Sequence, residues 1–600
     1  MLTKPFLVCD KIPHEFDHFM VKSIGAALFK FFQTMNIHSH TFHIPVMGLG
    51  YTLDTPIKVA KYGISSVISI VQDDVIEKAR KYYSRINQLP YEPISRKDPD
   101  HRHKRITAYL NLVNELVNRS FEELKKDPQE LTKMARMLPG NVSAEDLKQN
   151  INQFKTGSID VNIMTKLDRQ PSADENVLTE ACGALKGYAE SDLDSAIVLS
   201  AGLNPRLFAF MEQFDDFYPD AKGYLKKRII LKVSDYRSAM VQGKMLAKKG
   251  LWISEYRVES GLNCGGHTFA SDGFLLGPIL SEFQASRDAM FAEQESICRA
   301  AWEAQDRVPA VRLEQKLTVQ GGLGTAKERE LMETYYKVDA TGWGSPFLLV
   351  PEATSIDDET LTELAQAGEG DIYNSGISPL GVAFSTLRNN SGARVKQARI
   401  DAGKPGSPCL RKHLALDPET GLCTASVTYQ RKKIKELDAK NLEKESYDEA
   451  FARITEKECL CDGLAVSFLK KFDLMDKDNN EGVSICPGPN LAYFDRTYSL
   501  EEMVGHIYGK VNVLPQQNRP HMLIKELGLY IDHFGKLQEQ LEKEPSPKAT
   551  RQLTKFRENL LAGIGHYEEL VEHLPVEEQL AFKDKLAEYK EGLMLEMQEA

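Results

Sequence analysis

Residues 251–270 read LWISEYRVESGLNCGGHTFA, a short apolar run that breaks at Gly261 into a loop carrying Asn263, Cys264, Gly265, Gly266 and His267. Two adjacent glycines after a strand let backbone N–H groups approach a bound group closely, because no Cβ intervenes. A histidine directly behind them sets a proton donor and acceptor, with a reference pKa of ~6.5, beside that group. The alternative is a tight turn followed by a surface histidine. Two more glycine turns end β-rich runs: Gly321, Gly322, Leu323 and Gly324 (GGLG), and Gly342, Trp343, Gly344 and Ser345 (GWGS). A turn between a strand and a helix offers N–H groups and a helix N-terminus to a phosphate. Glycines that only relieve crowding would look the same. Lys232 lies near the end of the run RIILKV. Burying it is costly without a counter-charge, so it either stabilises negative charge on a cofactor or turns outward to pair with Asp235. Asn162, in SIDVNIM, suits a hydrogen bond to a cofactor ring.

Positioning these residues requires a scaffold. Eight β-rich runs are separated mostly by helical stretches: residues 44–49, 66–71, 158–164, 194–202, 228–233, the run starting at 251, 316–324 and 337–347. That alternation fits a (β/α)₈ TIM barrel, with a doubly wound open sheet as the competitor. Glycines follow the first, sixth, seventh and eighth runs, and a barrel gathers those ends on one face. Residues 54–62 read as a helix with Pro56 in its first turn and Gly63 as its stop. Residues 72–156 form a charged helical insertion after the second strand, with Ile106, Leu110, Val113 and Val117 on one face. Its run DHRHKR (100–105) is either a solvated segment or a lid attracting an anion.

The expected organisation is an N-terminal helical segment (1–39, with Phe19, Ile24, Leu28 and Phe32 at helical spacing), a barrel (40–360), a loop-rich cysteine-containing module (361–500) and a C-terminal helical region (501–600). The 600 residues give ample chain for a barrel of ~250 residues plus additions. A net charge of −11 argues against a nucleic-acid or anionic-membrane surface. No apolar run nears the ~18 residues that span a bilayer, and no signal-peptide pattern opens the chain. A cytoplasmic protein is expected. Five of the nine cysteines, Cys409, Cys423, Cys459, Cys461 and Cys486, crowd into the cysteine module. Clustered thiols in a reducing compartment suit a [4Fe–4S] cluster held by four of the five, zinc, or buried reduced thiols.

The order and content of these segments resemble the nitronate monooxygenase family of FMN-binding barrels, once called 2-nitropropane dioxygenases. Its relatives include flavin-dependent enoyl reductases of fatty-acid and polyketide synthesis. The likeness covers about residues 42–354 outside the insertion. IPVMGLG, with Met47 and Gly48, resembles the family's first strand and substrate-side turn. Asn162 matches its asparagine after strand three, and Lys232 its lysine near the flavin pyrimidine. Gly265, Gly266 and His267 match its Ala-Gly-Gly-His motif. Gly321, Gly322 and Leu323, and Gly344 and Ser345, resemble its two phosphate turns. The resemblance implies FMN, with His267 handling a substrate proton. Asn263 and Cys264 stand where the family often has Glu-Ala, and Thr341, Gly342 and Trp343 replace its eighth-strand methionine region. ECLCDGL resembles a cysteine pair near the C-terminus of some long members. The implied activity is oxidation of a nitronate or similar acidic-carbon substrate. The alternatives are an enoyl-type reductase fed by NAD(P)H, an Fe–S cluster or an electron-donor protein, and a non-catalytic interaction protein on a degenerate barrel. A small-molecule substrate is expected, and a homo-oligomer is compatible.

Overall fold

In the computed structural model, eight parallel strands close into a barrel in the order β1 (Phe42–Ile44), β2 (Ser65–Ile70), β3 (Ile159–Ile163), β4 (Ser195–Leu199), β5 (Lys227–Val233), β6 (Ile253–Glu259), β8 (Lys316–Gln320) and β9 (Ala340–Gly342). Closure is made by β1 on β9, with Phe42 opposite Thr341 and His43 opposite Gly342. An open sheet is thereby excluded. The structure describes residues 40–595 apart from 165–167, 169–176, 201, 269–271, 409–416, 418, 477–481 and 515–518. The expected helix in 1–39 lies outside the described residues, as does Cys409.

The first strand is shorter and earlier than 44–49, because Pro45 has no N–H for the ladder. After it, helix Thr55–Val59 begins with Pro56 and runs through a 3₁₀ turn, Ala60–Tyr62, into Gly63 at φ 85°, the left-handed stop expected there.

The insertion is helical: Asp73–Ile86, His101–Leu124, Pro128–Met137 and Ala144–Asn150. Its apolar face, Ile106, Leu110, Val113 and Val117, is buried. Helix His101–Leu124 packs against helix Glu180–Ala189 so closely that a Cβ on Gly187 would lie 2.7 Å from Ile106 Cβ. The segment is therefore barrel wall, and the lid reading of DHRHKR falls. Arg105 is buried on Asp73 (2.8 Å) and Asp74 (2.9 Å), and Arg102 bonds Glu180 (3.0 Å). The two aspartates open helix Asp73–Ile86, where negative charge suits the helix dipole.

Inside the barrel, two halves differ. Val67, Ala196, Val198 and Ile230 pack together with Val46. Opposite them, β6 turns Tyr256 outward against Gly243 of helix Tyr236–Ala247, so strand alternation turns Glu255, Arg257 and Glu259 inward. Glu255 pairs with Arg257 at 2.7 Å and accepts the Thr318 hydroxyl at 2.5 Å. His43 is buried beside them. Burial and the Arg257 charge push its pKa down to about 3, so it is neutral at ordinary pH.

At the opposite end of the barrel, Lys227 is fully buried and donates to Ser191 O (2.9 Å), Ser191 Oγ (3.1 Å) and Leu193 O (2.6 Å). Burial lowers its pKa to about 7. The unfolded chain, with an ordinary lysine pKa of ~10.4, binds the extra proton between the two values, so Lys227 makes stability rise with pH across that window. Urea unfolding of Lys227→Met should be flatter with pH from 7 to 10 than the parent, by up to about 1.4 kcal/mol per pH unit.

The chain beyond the barrel is more helical than its turn-dense sequence suggests. Helices Asp358–Gln366, Ser391–Asp401, Val427–Asp438, Lys444–Thr455, Leu460–Lys471 and Leu500–Ile507 occupy much of the expected loop-rich stretch and its far edge. Val427–Asp438 (VTYQRKKIKELD) is half charged and buries little, which leaves a weak apolar period to read. Strands β10 (Ile372–Ser375) and β11 (Phe384–Leu387) form an antiparallel hairpin, and β11 also pairs with β7 (Gly266–His267). Helices Met522–Lys543, Pro547–Leu570 and Val576–Leu595 follow, burying Phe556, Leu560, Ile564, Tyr567, Phe582, Leu586 and Leu593. One apolar core runs from Ile44 in the barrel through Leu464 and Leu500 to Leu527 and Leu560. Among the described residues no helix is long and apolar enough to cross a membrane.

Candidate active site

At the C-terminal mouth of the barrel, strand alternation points Ser69, Asn162, Lys232 and Glu259 into one cleft. The cleft contains about 1110 Å³ of non-atom space, its opening to solvent included. Gly48, Gly265, Gly266 and His267 line it from the barrel loops. The far half of the chain supplies a roof of Ser378, Leu380, Phe384, Leu460, Leu464 and Cys486. A barrel mouth closed by another part of the same chain is a shape that buries a ligand and sheds water.

The glycine-histidine loop is held at both ends. At its start, Glu526 of helix Met522–Lys543 accepts Ser260 Oγ (2.9 Å) and Gly261 N–H (2.7 Å) on one oxygen. Its other oxygen accepts Leu276 N–H (2.9 Å), at the N-terminus of helix Leu276–Glu303. Burial raises the pKa of this carboxyl, against the donors that surround it. In the middle, Asn263 adopts φ 55°, a conformation asparagine tolerates better than most residues. Its side chain accepts Cys264 N–H (2.6 Å) and donates to His267 O. At the far end, β7 pairs with β11, and His267 Nε2 shares a hydrogen bond with Ser378 Oγ at 2.7 Å. The imidazole meets the Phe384 ring edge-on, 5.0 Å between centroids. Gly265, at φ 119°, lies so close to the roof that a Cβ would stand 1.9 Å from Cys486 O. Gly265→Ala should cost about 1–3 kcal/mol from the backbone conformation alone, and more from the clash; urea unfolding measures it.

Lys232 does not pair with Asp235. Its Nζ lies 3.0 Å from Glu259, while Asp235 caps its own helix through Ser238 N–H (2.7 Å). Asn162 donates to Ser69 Oγ at 3.2 Å, and its carbonyl oxygen is buried without a partner among the described residues. Met47 is buried but does not reach the cleft; its carbonyl accepts the Thr52 hydroxyl at 2.8 Å.

The two proposed phosphate turns stand close behind the cleft. A Cβ on Gly321 would lie 3.1 Å from Asn263, and one on Gly344 2.7 Å from Cys264, so the loops after β6, β8 and β9 do converge. Gly321 and Gly322 have φ 98° and 80°. The buried N–H groups of Gly322, Leu323, Gly344 and Ser345 meet no acceptor among the described residues. Buried N–H groups are nearly always satisfied, so this quartet suits an anion. Neighbouring groups are already occupied. Glu328 accepts Gly324 N–H (2.8 Å) and Thr325 N–H (3.1 Å), capping the helix the turn leads into. Ser345 Oγ donates to Cys264 O (2.9 Å) and accepts Gly488 N–H (2.7 Å). The unpartnered Asn162 carbonyl in the cleft suits a ring N–H of a flavin, and the N–H groups behind it are of the kind that hold a phosphate. The segment Cys486 to Gly488 lies against the turns, and neither turn borders the open cleft.

The expected metal centre is not formed. Any four of the five cysteines would include at least three of Cys423, Cys459, Cys461 and Cys486. Among the described residues no group of three or more His, Cys, Asp or Glu side chains is placed to hold a metal. Cys459 caps helix Leu460–Lys471 and Cys461 lies in its first turn, and residues two apart on a helix do not face each other. They line different cavities, Cys461 the cleft and Cys459 a separate one beside Lys396 and Glu458. Cys486 is buried against the Tyr51 hydroxyl at 2.6 Å, and burial raises its thiol to about 11. Burial also raises the Cys264 thiol.

The roof residues Ser378 and Phe384 and the clamp Glu526 carry no motif that sequence reasoning could have used. Glu259 did leave a signal: Glu255, Arg257 and Glu259 alternate along one strand next to Lys232.

No protein-family model matches the chain, and no curated protein does. Among solved structures, it is similar to FabK from Thermotoga maritima (TM-score 0.36, 13% identity, covering 80% of this chain and 94% of that one). It is also similar to the enoyl reductase domain of MlnA from the macrolactin biosynthesis cluster of Bacillus amyloliquefaciens (0.41, 14%, 85% and 99%). A third is nitroalkane oxidase from Streptomyces ansochromogenes (0.32, 10%, 74% and 99%). At these scores the likenesses decide nothing about function, and the barrel rests on its own strand pairing.

Proposed function

We propose that the chain is a flavin-dependent oxidoreductase whose substrate gains or loses a proton at carbon beside His267. The observation that carries this reading is the buried, unpartnered Asn162 carbonyl in a cleft that also presents Lys232 and His267 at the barrel mouth. A bound flavin supplies the two-electron chemistry. The chain supplies the rest. Asn162 offers an acceptor to a ring N–H. Gly48 and Gly266 let backbone approach the bound group without a side chain between. The N–H groups of Gly322, Leu323, Gly344 and Ser345 hold the phosphate. His267, fixed by Ser378 and Phe384, moves the proton. The roof of Leu380, Leu460 and Leu464 excludes water from the cleft.

Two substrate classes suit this arrangement. One is a carbon acid of the nitroalkane type, oxidised with oxygen as acceptor. The other is an activated double bond, reduced with electrons from NAD(P)H or a donor protein. The apolar roof favours the second for substrates with a long hydrocarbon tail. Steady-state assays with nitroalkanes under oxygen, and with enoyl thioesters and NADPH, separate them. Turnover of either supports the proposal, and flavin-loaded protein inert towards both removes it.

A further inference from the structure

Among the described residues lining the cleft, Lys232 is the one lysine or arginine and Glu259 the one aspartate or glutamate. They sit 3.0 Å apart, with their side chains only 11% and 15% exposed. The second Glu259 oxygen accepts Gln320 Nε2–H at 2.8 Å, so both carboxylate oxygens are engaged. Gln320 is itself buried, which fixes the carboxylate on one side while the lysine fixes it on the other. In a water-poor site a close ion pair presents a short dipole to its neighbours, where an unpaired ammonium would present a full charge.

We infer that Glu259 is a specificity-determining residue: by cancelling Lys232 it keeps the described lining of the cleft electroneutral, so the site takes substrates in their neutral form, a carbon acid or an activated double bond, in preference to a preformed anion such as a nitronate. This deepens the flavin reading and rests on it. Glu259 also sets the charge that a flavin ring in this cleft experiences. Without its carboxylate, Lys232 would stand uncompensated beside the ring and draw anions in.

Sulfite tests this directly. It adds its sulfur lone pair to flavin N5 and leaves negative charge on the ring, so its affinity reports the charge around that ring. The FMN-loaded parent, Glu259→Gln, Lys232→Met and the double variant are titrated with sulfite and followed by bleaching of the visible flavin absorbance. Glu259→Gln should bind sulfite at least about tenfold more tightly than the parent, and Lys232→Met at least about tenfold more weakly. The double variant should return close to the parent, because the two changes act on one pair. Glutamine keeps the shape of glutamate, and the Lys232→Met arm stands alone if Glu259→Gln does not fold. Sulfite affinity within about twofold of the parent in both single variants, with flavin still bound, would overturn the inference and leave the flavin reading intact. Failure of all four proteins to bind flavin would overturn both.

Discussion

Replacing His267 by alanine lowers turnover by about 10²–10⁴-fold and leaves flavin binding within a few-fold of the parent. The size follows from removing a positioned proton donor and acceptor whose place water fills poorly. Flavin retention follows from the site plan. The groups proposed to hold ring and phosphate, Asn162 on β3 and the N–H groups of Gly322, Leu323, Gly344 and Ser345 after β8 and β9, lie on other elements. Ser378→Ala should have a smaller effect and a different signature. It removes the 2.7 Å bond that orients the imidazole, so it should displace the pH profile of turnover more than it lowers the maximum. An alanine variant at 267 with full activity would take the histidine out of the mechanism.

Arg519→Ala should destabilise the fold by about 3–5 kcal/mol, read by urea unfolding. Arg519 is buried on Glu328 at 2.6 Å and also donates to Asn490 Oδ1 (2.7 Å) and Gly322 O (2.9 Å). Glu328 is 1% exposed. It further accepts Met522 N–H at 2.7 Å, besides Gly324 and Thr325 N–H. Burial opposes its ionisation, but Arg519 and these donors prevail and hold its pKa below the ordinary value. A carboxyl depressed in this way contributes stability above its unfolded pKa of ~4.3 and loses it as acid titrates the folded form. Removing the arginine strands the carboxylate, so the variant should be weakest near neutral pH and lose less than the parent on acidification. An unchanged midpoint would mean that the C-terminal helices dock without this pair.

The two predictions divide along what sequence makes legible. The barrel reads well because β-branched runs such as SSVISI and SAIVL alternate with helices, and because Gly63 and the Thr325–Glu328 capping box mark helix ends by local chemistry. Asn162 and Lys232 stand near the ends of β3 and β5, and Gly265, Gly266 and His267 in the loop after β6, so parallel closure brings them to one cleft. Pro45 was a local warning that the first strand stops at Ile44. What does not read is long-range. Ser378 meets His267 across 111 residues, Glu526 meets Gly261 across 265, and Arg519 meets Glu328 across 191. No periodicity joins such pairs. The cysteine module misleads for a different reason. Proximity along the chain places Cys459 and Cys461 together, but the helix they begin turns their side chains apart. DHRHKR likewise reads as solvated or functional charge until Asp73, Asp74 and Glu180 are seen to neutralise its arginines.

Binding of an isoalloxazine ring in this cleft can be measured directly. The purified chain is equilibrated with FMN, freed of unbound ligand, and its visible absorption recorded. The flavin reading predicts flavin bands retained in one-to-one amount by the parent and largely lost in Asn162→Ala, which removes the unpartnered carbonyl. A parent protein that emerges colourless contradicts it.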